Sequence, residues 1–292
     1  MGNKSFLVLA TNSAKHFHLD NGVLDIKQFP DGEICIALDE NVTNKEVVVI
    51  GSTQPPAENL LELILLIGAV SQRGAKRITV VIPYFGYDRA DKENGKSETV
   101  SAKTIVKMLE EVSERKCRFF VLDPHGDNLK NYFDSPFNKI DITRQLAERF
   151  SGNKNLTVVA PDRGAKERAI KFARRVNSKN IVMIEKKRLL NSKVKLLSIS
   201  GKITPTAVIV DDMVSSGNTI LETAKMLKVK GAKKIHVAVT HMVYSAGGWK
   251  RLAKSALIDK VYMTDSILPP KQLPNKFKLI NLAAVLKHSI SL

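Results

Sequence analysis

A series of short apolar segments without polar alternation sets the narrowest limit on how this chain can fold. A strand with one face in water alternates apolar and polar residues, whereas a strand of a parallel sheet is covered on both faces and stays apolar throughout. Segments with helical periodicity separate these runs, which predicts an α/β fold of mostly parallel sheets flanked by helices. The predicted strands are 6–10, 47–50, 78–84, 118–123, 156–162, 181–185, 206–212, 235–241 and 260–265.

The predicted helices lie between these strands, and two of them end at a glycine. Gly74 and Gly231 suit helix C-terminal caps, because glycine adopts positive φ at little cost. The apolar run at 60–70 carries Glu62 and is shorter than the about 20 residues that cross a membrane, so we predict a buried helix and no membrane partner. The predicted helices are 57–72, 99–112, 141–150, 164–176 and 218–230.

One internal repeat divides the chain. "RGAKRITVVIPYF" (73–85) and "KGAKKIHVAVTHM" (230–242) match at an offset of 157 residues, and each follows a strand and a helix. Duplication of one α/β unit explains the match, and 292 residues fit two domains of about 150 residues each. We therefore predict domains at 1–142 and 143–292, with the linking turns near 140–153.

The charge of the chain points to anionic ligands. The formal net charge is +17, and the segment 163–195 holds twelve Lys and Arg residues against two acids. Such a field favours phosphorylated metabolites or nucleic acid. The sequence has no RNA-binding signature or zinc-finger spacing and is only 6% aromatic, which argues against nucleic acid as the main ligand. Cys35 and Cys117 lie far apart without metal-binding spacing, so we expect plain thiols in a reducing cytoplasm.

The segment "VIVDDMVSSGNTI" (208–220) joins a strand, two carboxylates and a loop of small residues that leads into a helix. In open α/β sheets, ligands bind beyond the carboxyl ends of the strands. Small residues let backbone N–H groups approach a phosphate, and the following helix presents its positive end. The carboxylates would repel a phosphate, so they suit a ribose diol or a magnesium ion. The alternative is a helix N-cap with nearby acids. The predicted sugar-phosphate site comprises Asp211, Asp212, Ser215, Ser216, Gly217, Asn218 and Thr219.

This loop resembles the phosphoribosyl-diphosphate loop of type I phosphoribosyltransferase folds. Five further segments, in order over nearly the whole chain, resemble those of ribose-phosphate diphosphokinases. They are "FPDGE" (29–33), "IPYFGYDRADK" (82–92), "DPHGDNLKNYFD" (123–134), "VVAPDRGAKERA" (158–169) and "IEKKR" (184–188). The resemblance implies two phosphoribosyltransferase-like domains. It also implies transfer of the β,γ-diphosphoryl group of ATP to the C1 hydroxyl of ribose 5-phosphate, which gives 5-phosphoribosyl 1-diphosphate and AMP.

The resemblance also implies the roles of individual residues in the reaction. Phosphoryl transfer depends on alignment and charge neutralisation, which Mg²⁺ and cationic side chains supply. Lys186 and Arg188 of the "EKKR" segment would close over the reacting group as catalytic cations, and Arg188 would also contact ribose 5-phosphate. His125 and Asp162 would contact the magnesium ion. Sequence reasoning identifies no general base.

The same resemblance implies the ATP contacts and the assembly. The segment 29–33 resembles the family's nucleotide-contacting hairpin, in which Phe29 would stack on adenine and Asp31 and Glu33 would accept hydrogen bonds from its amino group. In the family this hairpin serves a neighbouring subunit, so a homo-oligomer with its ATP site at a subunit interface is implied. The implied ATP-binding residues are Phe29, Asp31, Gly32, Glu33, Arg89, Ala90, Asp91 and His125.

The chain departs from the family at several of these positions. Ala90 stands where Gln is usual, Ser215 where Asp is common, and Asn218 in place of a glycine. Arg163 replaces a small residue, and Asn138 occupies an often acidic position.

Two other functions compete with the diphosphokinase. One is a phosphoribosyltransferase that consumes phosphoribosyl diphosphate, and the other is a non-catalytic relative that binds the ligand and regulates a partner.

Overall fold

The computed structural model describes residues 6–93, 99–126, 128–153, 155–188 and 195–290. Among these residues, none of the helices combines the length and the apolar character that a membrane span requires. In chain order the elements are β1 (Leu7–Ala10), β2 (Leu24–Gln28), β3 (Ile34–Leu38), β4 (Glu46–Ile50), α1 (Glu58–Gln72), β5 (Arg77–Ile82), α2 (Ser101–Glu111), β6 (Cys117–Leu122), β7 (Phe137–Ile140), α3 (Thr143–Glu148), β8 (Leu156–Ala160), α4 (Lys166–Arg175), β9 (Asn180–Arg188), β10 (Lys195–Ser200), β11 (Thr206–Val214), α5 (Asn218–Val229), β12 (Lys234–Met242), α6 (Gly248–Lys254), β13 (Lys260–Thr264), β14 (Phe277–Ile280) and α7 (Ala283–Ile290).

The chain forms two compact units. The N-terminal unit extends to Ile140 and also takes in Ser266–Leu268 and the segment from Leu282 onward. The C-terminal unit comprises Asp141–Asp265 and Pro269–Asn281. The helix that follows the last strand of each sheet therefore belongs to the other unit, α3 to the C-terminal unit and α7 to the N-terminal unit.

The N-terminal unit is built on a five-stranded parallel sheet in the order β1-β4-β5-β6-β7. Strands β2 and β3 form a separate antiparallel hairpin. The central strands are apolar along their length because they are buried, with Val49, Val80 and Val121 at 0% exposure. Helices α1 and α2 contribute Leu63 and Leu109 to the same core.

The C-terminal unit has a seven-stranded sheet in the order β10-β9-β8-β11-β12-β13-β14. All neighbouring strands are parallel except β9 and β10, which form an antiparallel hairpin at the edge. Its core includes Ile209 and Val237 from the sheet, Leu227 from α5 and Leu252 from α6.

The α/β fold predicted from the sequence is confirmed. All nine predicted strands and all five predicted helices are present, with boundaries shifted by a few residues. Gly74 and Gly231 have φ of +80° and +97° directly after α1 and α5, as predicted for caps. Glu62 of α1 is buried, and both cysteines are free, with Cys117 buried and Cys35 half-buried. The elements that periodicity did not predict are β2, β3, β7, β10, β14, α6 and α7, although the resemblance implied the hairpin that β2 and β3 form.

Candidate active site

The predicted sugar-phosphate loop lies at the carboxyl end of β11 in the C-terminal unit. Gly217 has φ of +77° and caps α5, and its carbonyl oxygen accepts the Leu221 N–H group at 3.0 Å. The Ser216 hydroxyl lies 3.4 Å from the Asn218 N–H group, a long hydrogen bond. The Ser215 hydroxyl has no partner among the described residues. The turn at the start of α5 therefore keeps hydroxyl and backbone donors for an anion.

Two adjacent carboxylates precede this turn. Pairing of β11 with β8 ends at Ile209, so Asp211 and Asp212 lie beyond the paired part of β11. Asp162 follows the end of β8 by two residues. The Asp212 N–H group donates to Asp211 Oδ1 at 3.0 Å. Burial, followed by the negative charges of Asp212 and Asp162, raises the pKa of Asp211 well above its ordinary value. Three carboxylates thus crowd one edge of the sheet, where a cation or hydroxyl donors would lower their repulsion.

The start of α6 supports the loop from the side. The Gly248 N–H group donates to the Ser215 carbonyl at 3.0 Å, and the Val243 N–H group donates to Val214 at 2.8 Å. An added Cβ on Gly248 would lie 2.8 Å from the backbone nitrogen of Gly217, so only glycine fits there. One turn later on α6, Arg251 Nη1 donates to Asn218 Oδ1 at 2.8 Å. This contact places a guanidinium group beside the first residue of α5.

The two predicted catalytic cations lie on the β9–β10 hairpin. Strand β9 continues to Arg188, whereas the sequence predicted a strand that ends at residue 185 and then a loop. The backbone of Lys186 pairs with Leu197, and that of Arg188 pairs with Lys195. The side chains of Lys186 and Arg188 lie outside the described part of the chain, so their roles stay predictions.

The predicted adenine-binding segment forms the turn of the β2–β3 hairpin in the N-terminal unit. The Phe29 N–H group donates to Glu33 and the Gly32 N–H group to Phe29, each at 2.8 Å. Gly32 has φ of +98°, which glycine adopts without strain. Asp31 Oδ1 accepts the Glu33 N–H group at 3.2 Å, so one carboxylate partly serves the turn. Phe29 is 52% exposed at the tip of the hairpin, so about half of this large apolar side chain is not buried within the unit.

The other predicted ATP contacts lie on two loops that meet beyond β5 and β6. Arg89 and His125 are exposed, and Ala90 is half-buried. Asp91 is buried, and its Oδ2 accepts Asn128 Nδ2 at 3.3 Å. Within the N-terminal unit, the fold therefore brings Arg89, Asp91 and His125 onto neighbouring loops, and Asp91 is already engaged below the surface. Asp127, beside His125, lies outside the described residues.

The donor groups fit magnesium only if a ligand completes the site. Among the described residues, no cluster of three or more His, Cys, Asp or Glu side chains could hold a metal ion alone. Mg²⁺ is commonly held by one or two carboxylates together with substrate phosphates. The oxygen donors of Asp162 and its crowded neighbours suit that arrangement, and the exposed imidazole of His125 is a poorer magnesium ligand.

Sequence reasoning missed three residues beside the predicted site. Asp88 is 1% exposed below Arg89, while Gly248 and Arg251 contact the sugar-phosphate loop from α6. The paired glycines at 247–248 could have signalled close backbone packing. Asp88 could have been noticed as an acid within an aromatic stretch. Arg251 gave no signal, because a basic residue on a short helix is most often a solvated side chain.

Two family models match the chain. The N-terminal domain of ribose phosphate pyrophosphokinase matches residues 2–112, and the phosphoribosyl transferase domain matches residues 128–273. The first match lies within the predicted domain 1–142, whereas the second begins at residue 128, before the predicted boundary, and extends into the domain predicted at 143–292.

Curated relatives and one solved structure are similar over almost the whole chain. A ribose-phosphate pyrophosphokinase of Fusobacterium nucleatum is 32% identical, over 99% of this chain and 92% of the relative. Ribose-phosphate pyrophosphokinase 1 of Listeria monocytogenes is 33% identical, over 97% of this chain and 89% of the relative. The crystal structure of phosphoribosylpyrophosphate synthetase from Mycobacterium smegmatis gives a TM-score of 0.88 at 25% identity and covers 99% of this chain and 98% of that chain.

Proposed function

The chain belongs to the ribose-phosphate pyrophosphokinase family, and from that premise we propose that it is a ribose-phosphate diphosphokinase. The reaction transfers the diphosphoryl group of ATP to the C1 hydroxyl of ribose 5-phosphate and gives 5-phosphoribosyl 1-diphosphate and AMP. The observation that carries the proposal is the edge of β11, where crowded carboxylates adjoin the small-residue turn that opens α5.

The loop and its acids divide the recognition of the sugar phosphate. The backbone N–H groups and hydroxyls of residues 215–219 hold the 5-phosphate at the positive end of α5. Asp211 and Asp212 accept hydrogen bonds from the ribose hydroxyls, which removes part of their mutual repulsion. Arg251, which donates to Asn218 Oδ1, adds positive charge beside the loop.

The nucleotide side rests on the N-terminal unit. Arg89 binds the phosphates, and the exposed Phe29 ring stacks on adenine in a neighbouring subunit of a homo-oligomer. Lys186 and Arg188 stabilise the charge that develops on the transferred group. Mg²⁺ would be held by Asp162 and the nucleotide phosphates and would neutralise part of the diphosphate charge when bound. His125 is the second residue for which the resemblance implies a contact with the metal ion. The two free cysteines support a reducing, cytoplasmic location.

Incubation with Mg²⁺, ATP and ribose 5-phosphate tests the reaction directly. Equal amounts of AMP and 5-phosphoribosyl 1-diphosphate should form, and neither should form without ribose 5-phosphate. A phosphoribosyltransferase would instead consume phosphoribosyl diphosphate together with a free base and ignore ATP. A regulatory relative would bind the ligands without turnover and would show salt-sensitive binding if its partner were nucleic acid.

Lys186→Ala tests the catalytic assignment. Loss of a cation that contacts the transition state should lower kcat by about 100-fold or more, while the far-UV circular dichroism and the melting temperature stay as in the wild type. Lys179→Ala, an exposed lysine just before β9, is the matched control and should retain full activity. Unchanged turnover in Lys186→Ala would remove this lysine from the mechanism.

A further inference from the structure

A buried carboxylate lies directly beneath the exposed residues of the nucleotide site. Asp88 is 1% exposed, and its Oδ2 accepts the backbone N–H group of His125 at 2.6 Å. Burial of a carboxylate is costly unless hydrogen bonds satisfy it, so this position is held by a specific contact. The contact joins the loop after β5, which carries Arg89, to the loop after β6, which carries His125.

A second carboxylate fastens the same two loops three residues further on. Asp91 Oδ2 lies 3.4 Å from the Asn128 backbone nitrogen and 3.3 Å from its Nδ2. Gly126 packs on the same side chain, and an added Cβ there would lie 2.6 Å from Asp91 Cβ. The hydroxyl of Tyr132 also donates to the Asp91 carbonyl oxygen at 2.5 Å. The two loops therefore interlock over several residues.

The backbone on both sides of the interlock is strained. Tyr87, before Asp88, has φ of +69°, and Asp123, two residues before His125, has φ of +40°. Non-glycine residues adopt such values at a cost of about 1–3 kcal/mol and keep them only where the surroundings hold them. The Asp123 carboxylate is 3.6 Å from Lys139 Nζ, and its N–H group donates to Ile140 at 3.0 Å. Strain of this kind is concentrated at functional sites.

We propose that Asp88 and Asp91 are positioning residues, which hold Arg89 and His125 in the arrangement that binds the ATP phosphates. The inference rests on the proposed diphosphokinase function and deepens its nucleotide site. Asp91, implied by resemblance to contact ATP, acts instead through the loop that carries His125. Both carboxylates act through the loops that carry Arg89 and His125, so their loss should weaken the binding of ATP and leave that of ribose 5-phosphate unchanged.

Asp88→Ala and Asp88→Asn show whether Asp88 acts as a hydrogen-bond acceptor for the His125 N–H group or through its negative charge. The alanine removes the acceptor for the His125 N–H group and should raise the KM for ATP about tenfold, with the KM for ribose 5-phosphate unchanged within about twofold. The asparagine keeps an acceptor oxygen and should restore most of the affinity, to within about threefold of the wild type. Asp20→Ala, an exposed acid outside both loops, should match the wild type. Equal damage by both Asp88 variants, or wild-type KM values in Asp88→Ala, would overturn the proposal.

Gly126→Ala tests the interlock without altering a charged group. The added methyl group must displace Asp91, so the KM for ATP should rise at least tenfold while the KM for ribose 5-phosphate again stays constant. Gly68→Ala makes the same substitution in α1 where nothing lies within 4 Å, and it should behave as the wild type. Unchanged ATP affinity in Gly126→Ala would also refute the interlock.

Binding measurements distinguish this inference from the proposed function. Calorimetric titration with ATP and Mg²⁺, without ribose 5-phosphate, should show the same tenfold weakening in Asp88→Ala as the KM does. Absence of turnover in a wild-type protein that still binds ATP would reject the diphosphokinase function, and the binding comparison would still decide the role of Asp88.

Discussion

The two units place the same kind of loop at the same point of their sheets and hold it with different atoms. In the N-terminal unit the loop follows β4, where Ser52 Oγ accepts the Tyr84 N–H group at 3.1 Å and Thr53 Oγ1 accepts the Gly86 N–H group at 2.7 Å. In the C-terminal unit the loop follows β11, and the Gly248 N–H group donates to a backbone carbonyl, that of Ser215. The first loop is held by these two hydroxyls together with a backbone hydrogen bond from the Thr53 N–H group to the Tyr84 carbonyl at 2.9 Å, whereas the contact of Ser215 in the second loop is made by backbone atoms alone.

This difference supports the proposal that the C-terminal loop, rather than its N-terminal counterpart, binds the sugar phosphate. The hydroxyls of the N-terminal loop are buried and satisfied by its own chain, with Ser52 and Thr53 at 0% exposure. The C-terminal loop leaves its serines half-buried at the edge and adds the acids Asp211 and Asp212. The first arrangement favours stability, whereas the second crowds carboxylates whose repulsion the proposed ligand would reduce.

The sheets themselves support a common origin for the units. Strands β1-β4-β5-β6-β7 have the same order and direction as β8-β11-β12-β13-β14. The hairpin β2–β3 follows β1 as the hairpin β9–β10 follows β8, so the two hairpins predicted to carry adenine contacts and catalytic cations are structural counterparts. The repeat at residues 73–85 and 230–242 maps onto β5 and β12.

The largest expected effect comes from disturbing the backbone brace of the C-terminal loop. In Gly248→Ala the added Cβ would lie 2.7 Å from the Ser216 carbonyl carbon and 2.8 Å from the Gly217 nitrogen, and backbone cannot yield as a side chain can. We expect kcat/KM for ribose 5-phosphate to fall about 100-fold or more, because the loop shifts by a fraction of an ångström to an ångström. Steady-state kinetics measure this, with Gly68→Ala as the control. Wild-type kinetics in Gly248→Ala would show that this brace does not shape the loop.

One substitution in each loop tests whether the two loops contribute to stability in opposite directions. Ser52→Ala leaves the Tyr84 N–H group without its acceptor and should lower the free energy of unfolding by about 1–3 kcal/mol. Asp211→Asn should do the opposite at pH 7 and raise the melting temperature, since it removes a charge from the crowded edge. The same change should lower kcat/KM for ribose 5-phosphate about tenfold or more, because a charged acceptor for the ribose hydroxyls is lost.

The direction of the Asp211 pKa shift determines how the gain in melting temperature of Asp211→Asn depends on pH. The pKa of Asp211 is raised in the folded protein, so the unfolded chain releases its proton first as the pH rises. Wild-type stability therefore declines from about pH 4 upward relative to the asparagine variant, and the gain should shrink toward zero below pH 4. Melting curves at several pH values measure it. A variant that is less stable than the wild type at pH 7 would show that ligand-free repulsion is not the dominant effect.

Much of the scaffold could be predicted because burial on both faces makes parallel strands apolar. The strands that escaped prediction are short or lie at edges, such as β7 and β14, whose four residues include a lysine. Helix α6 escaped because it spans only seven residues and begins with a glycine. Resemblance alone, and not periodicity, indicated a hairpin at "FPDGE".

The sugar-phosphate loop was readable because its elements are contiguous in the sequence. The contacts that hold that loop and the nucleotide loops in place could not be predicted, because they join segments that are distant in the sequence. Arg251 reaches Asn218 across 33 residues, and Asp88 reaches His125 across 37. A local sequence pattern cannot show which acidic side chain becomes buried. Asp88 is buried and Asp31 is exposed because of the segments that pack against them, which lie elsewhere in the chain.

The smallest expected effect lies at the paired positions Thr79 and His236, which the repeat aligns. Thr79 is satisfied, because its Oγ1 accepts Arg118 Nε at 2.8 Å. The His236 ring instead lies 5.9 Å from Phe150 and 6.1 Å from Tyr262 between ring centroids, and its Nδ1 is buried without a partner in the described structure. The C-terminal unit therefore carries a group that titrates near neutral pH where the N-terminal unit carries a hydroxyl that does not.

His236→Phe should make the C-terminal unit less sensitive to acid. Burial lowers the pKa of His236, Lys260 and Lys234 lower it further, and Asp259 opposes them. The unfolded chain then takes up a proton near pH 6.5 before the folded protein does, so wild-type stability falls as the pH drops below that value. The phenylalanine variant lacks this loss and should gain in melting temperature, relative to the wild type, between pH 7 and pH 5, by no more than a few degrees. Thr79→Val provides the comparison in the other unit, where the difference from the wild type should not change over the same interval. If the melting temperatures of His236→Phe and the wild type fall in parallel as the pH drops, this histidine does not make the C-terminal unit more sensitive to acid than the N-terminal unit.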